Sequence, residues 1–363
     1  MKNILLLLGA GSVLLASAAA TARPAEQSEL DLDSAVAPYS DTGEFSGVVM
    51  LGRGGREIWS GAYGMASVEL SVPSQPQLRY KLHSSSKSIL AVAVMRAVDQ
   101  GRLDIDAPLC IYLDPCAQTW GAITLRHLLS HTSGIADITN DMVDGWRGDI
   151  ASTIAALYDD LSARPLESVP GEVFSYSNFG FTLISLVLEQ QYDMPIHDVL
   201  RVEVFEPAGM VSASLESPPE TGLMYDGHRI EPLAVPGYNG RPDHLQQAYS
   251  KMYVIPGAGG VVASAQDCIS FLHAVFEGDL ISEAALADML TVPFPDASDV
   301  YALGWVVGEA RGEPAYGHSG GNNGFIAYLQ YRQTDGLALV LLSNRGFTPL
   351  RDMLSDIRIA LDE

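Results

Sequence analysis

The stretch from Ser88 to Val98, "SILAVAVMRAV", is apolar almost all round. A helix without a polar stripe has to be covered by protein on every side, so the fold must be built around this segment. Material for a cover stands at both ends of the chain. Phe45 to Arg53 and Glu57 to Tyr63 read as two strands joined by the turn "GRGG". Late in the sequence, "YALGWVVGEA", "GFIAYLQYRQ" and "LALVLLSN" read as three more strands. Between them the pattern is helical, over Ile150 to Leu161, Phe179 to Gln190 and Ala265 to Phe276. "PLRDMLSDIRIALDE" closes the chain as an amphipathic helix whose Met353, Leu354, Ile357 and Leu361 are expected to pack on the sheet, given their acidic neighbours. The class this implies is α+β: an antiparallel sheet formed by both chain ends and flanked by helices, with an inserted helical lobe. The groove between the lobes is the default site.

Residues 1–22 carry one charge, Lys2, then an apolar run from Ile4 to Leu15, then small residues ending at Ala22. That order is the order of a secretory signal peptide, and the run is too short for a comfortable membrane span. The expectation is a cleaved leader, a single domain over 23–363, a periplasmic or secreted location, and no stable membrane span once the leader is gone. The formal net charge is -23. Such a surface repels nucleic-acid phosphates and anionic lipid heads, so the expected partner is a small-molecule or peptide substrate and not nucleic acid. Cys110 and Cys116 are close enough to close a small loop in an oxidising compartment, while Cys268 reads as a buried free thiol. No cofactor is implied. His127 and His131 have the spacing of a zinc pair but lack the Glu of H-E-x-x-H and a third ligand, which favours structural histidines and no metal site.

"GHSGG", residues 317–321, resembles a nucleophile elbow around Ser319. Its chain order fails, because no histidine follows Ser319, and the segment runs into a strand instead of a helix. "HSSSKSIL" fits serine chemistry better. Ser84 and Lys87 stand three apart at a helix start, on one face, and a buried lysine can lose its proton and activate a serine where arginine cannot. Only four of the 21 basic residues are lysines, which sharpens the pairing. In "PGEVFSYSNFGF", Tyr176 could relay a proton, as phenolate if cationic neighbours lower its pKa, and Asn178 could hold a substrate amide and orient Lys87.

The order S-x-x-K, Y-x-N, H-x-G resembles the serine penicillin-recognising hydrolases of the class C β-lactamase type, which include D,D-peptidases, D-amino-acid amidases and esterases. "DQGRLDIDAPL", "ITLRHLLSHTSGI" and "VFEPAGM" add to the resemblance. It implies a β-lactamase/transpeptidase-like fold and an acyl-enzyme on Ser84, with Lys87 and Tyr176 sharing acid and base duty. It implies also that Asn178 and His318 bind substrate, that the Ser84 and Gly321 N–H groups form the oxyanion hole, and that "GHSGG" is the strand edge facing Ser84, whose glycines, Gly320 among them, let the backbone approach closely. His318 stands where β-lactamases carry a lysine, which implies peptidase, amidase or esterase activity before β-lactamase activity. A β-lactamase proper, or a non-hydrolytic receptor for cell-wall peptide or β-lactam, is the alternative. Protonation of His318 is expected to improve capture of a substrate carboxylate toward pH 6. Tyr225, Tyr238, Tyr249 and Tyr253 are expected to wall the groove.

Overall fold

In the computed structural model, the structure describes residues 32–139, 142, 150–216, 224–225, 228–229, 234–248, 255–293 and 300–361. The expected leader lies outside them, as do Tyr249 and Tyr253 and the side chain of Tyr225.

Six strands form one antiparallel sheet: β1 (Gly47–Arg53), β2 (Arg56–Tyr63), β3 (Val306–Ala310), β4 (Glu313–Asn322), β5 (Phe325–Arg332) and β6 (Leu337–Ser343). Their spatial order is β3, β4, β5, β6, β1, β2, so the first strand pairs with the last, Gly47 opposite Ser343. Tight turns fix the registers. Gly54 and Gly55 join β1 to β2, and Asn323 and Gly324 join β4 to β5, all four at positive φ as a two-residue hairpin turn demands.

Both faces of the central strands β1 and β6 are buried, which is why "LALVLLS" reads as an unbroken apolar run. In β1 and β6, Val48, Met50, Val340 and Leu342 face one core while Val49, Leu51, Leu339 and Leu341 face another. The second core is closed by α1 (Leu32–Asp41) and by the terminal helix Leu350–Ala360, whose Met353, Leu354 and Ile357 are buried on the sheet together with Leu361. The first core surrounds α2 (Ser86–Asp99), in which every residue from Ser86 to Met95 is buried. The helix that most constrained the fold is indeed its centre.

The helices expected in the middle of the chain are present, at Ile150–Ser162, α3 (Asn178–Tyr192) and α4 (Ala265–Phe276). The apolar patterns mark three strands at the end of the chain and the structure has four there, the added one, β4, carrying the "GHSGG" that the resemblance implies as a strand edge. β4, "EPAYGHSGGN", is rich in glycine and opens near a proline, so it lacks the β-branched alternation that marks a strand; it is held by pairing with β5 from Ala315 to Asn322 and with β3 from Glu313 to Gly317. Cys110 and Cys116 are disulfide-bonded, and Cys268 is free and buried. Among the described residues no helix is long and apolar enough to cross a membrane.

Leu341 is fully buried between the sheet and the two terminal helices. Leu341→Ala is expected to cost about 2–5 kcal/mol in a denaturant titration. A cost under about 1 kcal/mol would mean that this second core is not packed as described.

Candidate active site

Four serines, Ser84, Ser85, Ser86 and Ser88, precede or open α2, and their hydroxyls have different tasks. Ser85 Oγ donates to the His318 carbonyl at 3.0 Å, Ser86 Oγ accepts the Val261 N–H at 3.1 Å, and Ser88 Oγ donates to the Gly304 carbonyl at 2.7 Å. These three fasten the helix start to β4, to the short strand Val261–Ala263 and to the turn before β3. Ser84 is different. Its hydroxyl lies 3.3 Å from Lys87 Nζ and is close enough to the Tyr176 hydroxyl to influence its titration.

Lys87 has no exposed surface, and among the described residues no carboxylate forms an ion pair with its amine. Nζ donates to Asn178 Oδ1 and to the Ala258 carbonyl, each at 2.8 Å, and lies 4.8 Å from the ring centre of Tyr176 and 5.5 Å from that of Phe181. Burial pulls its pKa down to about 7, opposed by the charge of Asp137. Tyr176 is 38% exposed at the mouth of the site. Its pKa moves the other way, pushed up to about 12 by burial of the ring and by Asp137, with the Ser84 hydrogen bond working against the rise. Tyr176 is therefore a neutral phenol, and the expected phenolate is corrected: the group brought into range at neutral pH is the lysine.

Asn178 opens α3, behind Ser177, whose hydroxyl caps the helix by accepting the Gly180 N–H. Asn178 Nδ2 donates to Asp137, a residue that no motif singles out. Its amide thus spans Asp137 and Lys87.

His318 has both ring nitrogens occupied. Nδ1 lies 2.6 Å from the Ser319 carbonyl and must donate, so Nε2 accepts from the Tyr301 hydroxyl at 2.9 Å. Burial and nearby Lys87 push its pKa down to about 3. The expected gain of a positive charge toward pH 6 is corrected accordingly: His318 is a neutral, buried group tying β4 to Tyr301. His131 is likewise neutral, with Nδ1 accepting the Ser177 N–H at 3.0 Å and its ring packed on Tyr176, Phe181 and Tyr301. Its pKa lies well below the usual range through burial, then through Lys87 and His318. His127 instead caps the helix Leu125–Leu129 with Thr124. The two histidines of the zinc-like spacing thus have separate structural tasks. Among the described residues no three His, Cys, Asp or Glu side chains group as metal ligands.

Gly320 lies where β4 meets the helix start. A Cβ there would sit 2.0 Å from the Leu82 carbonyl oxygen and 2.9 Å from the Ser84 nitrogen, so only glycine permits this approach. Gly321 and Ser319 are exposed. Ser319 lies within a strand that turns back as a hairpin, not at a strand-to-helix elbow. Tyr238 is buried, accepts the Val68 N–H at 2.9 Å, donates to Glu69 and stacks on Arg345. It belongs to the core and not to the groove wall.

Three contributors carry no signal in the motifs. Asp137 and Tyr301 meet the site through distant segments, and the Ala258 carbonyl is backbone; only the glycines of "PGAGG" hint at a close approach there.

A serine, a buried lysine and a tyrosine come together beside a glycine strand edge, an arrangement compatible with serine hydrolase chemistry. The chain belongs to the Beta-lactamase family, whose model matches residues 16–362. It is 26% identical over 332 residues to PbpX of Bacillus subtilis (strain 168), covering 89% of this chain and 77% of that protein. It is 25% identical over 344 residues to the esterase EstB of Burkholderia gladioli, covering 83% and 86%. The crystal structure of a penicillin binding protein from Bacillus halodurans matches 90% of this chain and 99% of its own, with a TM-score of 0.75 at 23% identity, a likeness of fold.

Gly320→Ala is expected to slow hydrolysis of a p-nitrophenyl ester by about a hundredfold while circular dichroism stays unchanged, because β4 must retreat from Ser84. Unchanged turnover would mean that the strand does not approach so closely.

Proposed function

We propose that this chain is a periplasmic or secreted serine hydrolase that forms an acyl-enzyme on Ser84, with Lys87 as base and Tyr176 as acid, acting on peptide, amide or ester bonds. The observation that carries the reading is the hydrogen-bond count at Lys87. A neutral amine has two N–H groups, and two acceptors stand at 2.8 Å, Asn178 Oδ1 and the Ala258 carbonyl. The lone pair is left for the third neighbour, Ser84 Oγ at 3.3 Å.

The steps follow from that arrangement. Ser84 Oγ attacks the substrate carbonyl carbon as its proton passes to Lys87 Nζ. The oxyanion is held by the N–H groups of Ser84 and Gly321. As the bond to the leaving group breaks, the Tyr176 hydroxyl protonates that group and recovers its proton from the Lys87 ammonium. Water then cleaves the ester by the same transfers in reverse. The leader pattern in residues 1–22 supports an extracytoplasmic location.

His318 supports the choice of substrate. Neutral and with both nitrogens in use, it offers no charge to a carboxylate, which favours peptidase, amidase or esterase turnover over efficient penicillin hydrolysis. The esterase among the relatives is consistent with this.

A fluorophosphonate probe with peptide mapping is expected to label Ser84, and Ser84→Ala to abolish labelling; label on Ser319 would overturn the assignment. Since Lys87 serves as base only when neutral, kcat/KM for an uncharged ester is expected to rise with pH through about 7. Binding of carboxylate-bearing substrates is expected to show no gain between about pH 8 and 6 from His318, whose titration lies far below that window. A single stoichiometric burst without turnover would support the receptor reading, and a cephalosporin hydrolysed far faster than a D-Ala-D-Ala peptide, a D-amino-acid amide or a p-nitrophenyl ester would make the protein a β-lactamase.

A further inference from the structure

Asp137 gathers three donors around the start of α3. It accepts the Phe179 N–H at 2.9 Å, the Ser177 hydroxyl at 3.3 Å and the Asn178 Nδ2–H at 3.2 Å. A carboxylate can only accept, so it compels the Asn178 amide to turn its NH2 toward Asp137 and its oxygen toward Lys87. That oxygen is one of the two acceptors that orient the amine. We propose that Asp137 is a positioning residue for the reaction: it holds the Asn178 amide in the one orientation that aims Lys87 at Ser84, and its negative charge governs how readily Lys87 gives up its proton. The inference rests on Lys87 being the base.

The other titratable groups facing Lys87 carry no charge near neutral pH. His83 from the turn before α2, His131 from the segment after the helix Leu125–Leu129, and His318 from β4 are buried and held neutral, and Tyr176 keeps its proton. Asp137 alone among the described residues adds a charge that acts on the amine, and it opposes the effect of burial. Removing that charge lowers the pH at which Lys87 is free to accept a proton.

The test uses the full chain and a short p-nitrophenyl ester, with kcat and KM measured between about pH 5 and 9. Asp137→Asn is expected to lose about tenfold or more in kcat with little change in KM, and the acid limb of its residual activity is expected to move to lower pH. Ser177→Ala removes a hydroxyl cap from the same helix without removing charge; it is expected to lower the melting temperature and leave the acid limb in place. Asp137→Glu keeps the charge on a longer arm, and is expected to lose turnover while holding the limb, which keeps the test in force if the Asn variant does not fold. An unmoved limb in Asp137→Asn, or a moved one in Asp137→Glu or Ser177→Ala, would overturn the proposal. If instead Ser84→Ala retains turnover, the serine reading itself fails, whatever the Asp137 variants do.

Discussion

An amine buried without a counter-ion is the constraint to which the rest of the molecule answers. Moving an ammonium out of water is expensive, and a carboxylate beside it would offset much of that penalty while fixing the proton in place. Lys87 has dipoles instead: one side-chain amide, one backbone carbonyl and two aromatic faces. The sign of the resulting stability effect is definite. As pH falls from the ordinary lysine range to about 7, the unfolded chain takes up a proton that the folded chain refuses, so stability declines over that window. Below it both states are protonated and the loss stays constant. The apolar girth of α2 and the three serine tethers at its start hold the amine in a place that it would not choose by itself.

The neighbours of that amine keep its proton mobile by remaining uncharged. His131 and His318 are fixed as single tautomers by one backbone contact each, and Tyr301 joins them through a ring contact and a hydrogen bond. A protonated imidazole in either place would repel a lysine ammonium and make the amine a weaker base toward Ser84. Neutrality here follows from packing, since neither ring has solvent to stabilise a charge.

What was legible in the sequence was what is local. Ser84 and Lys87 share a helical face because of the 3.6-residue period, so their meeting could be read from spacing, and α2 declared its burial by having no polar stripe. The outer sheet strands and the C-terminal helix followed from equally local patterns. Asp137, Tyr301 and the Ala258 carbonyl were not legible, because they reach the site through tertiary contacts with no periodic signature, and a backbone carbonyl has no residue type to recognise. The titration of His318 toward pH 6 and the conditional phenolate at Tyr176 were corrected for a related reason: a letter gives the ordinary pKa, and enclosure decides the actual one. β4 was legible only through the resemblance, because the glycines that allow it to touch the helix start are the ones that erase its strand pattern.

The pairing of the first strand with the last has a bearing on how such a molecule comes into being. Ser84 and Lys87 lie in the first third of the chain, whereas the strand edge beside Ser84 and the partner strand of β1 lie in its final fifth. A polypeptide emerging from the ribosome therefore carries its reactive pair for most of synthesis without the elements that bring it to life. Contacts of such long separation close late and slowly, after loop entropy has been overcome. The topology thus acts as a latch on timing: the groups of the site come together only when the last strands have arrived.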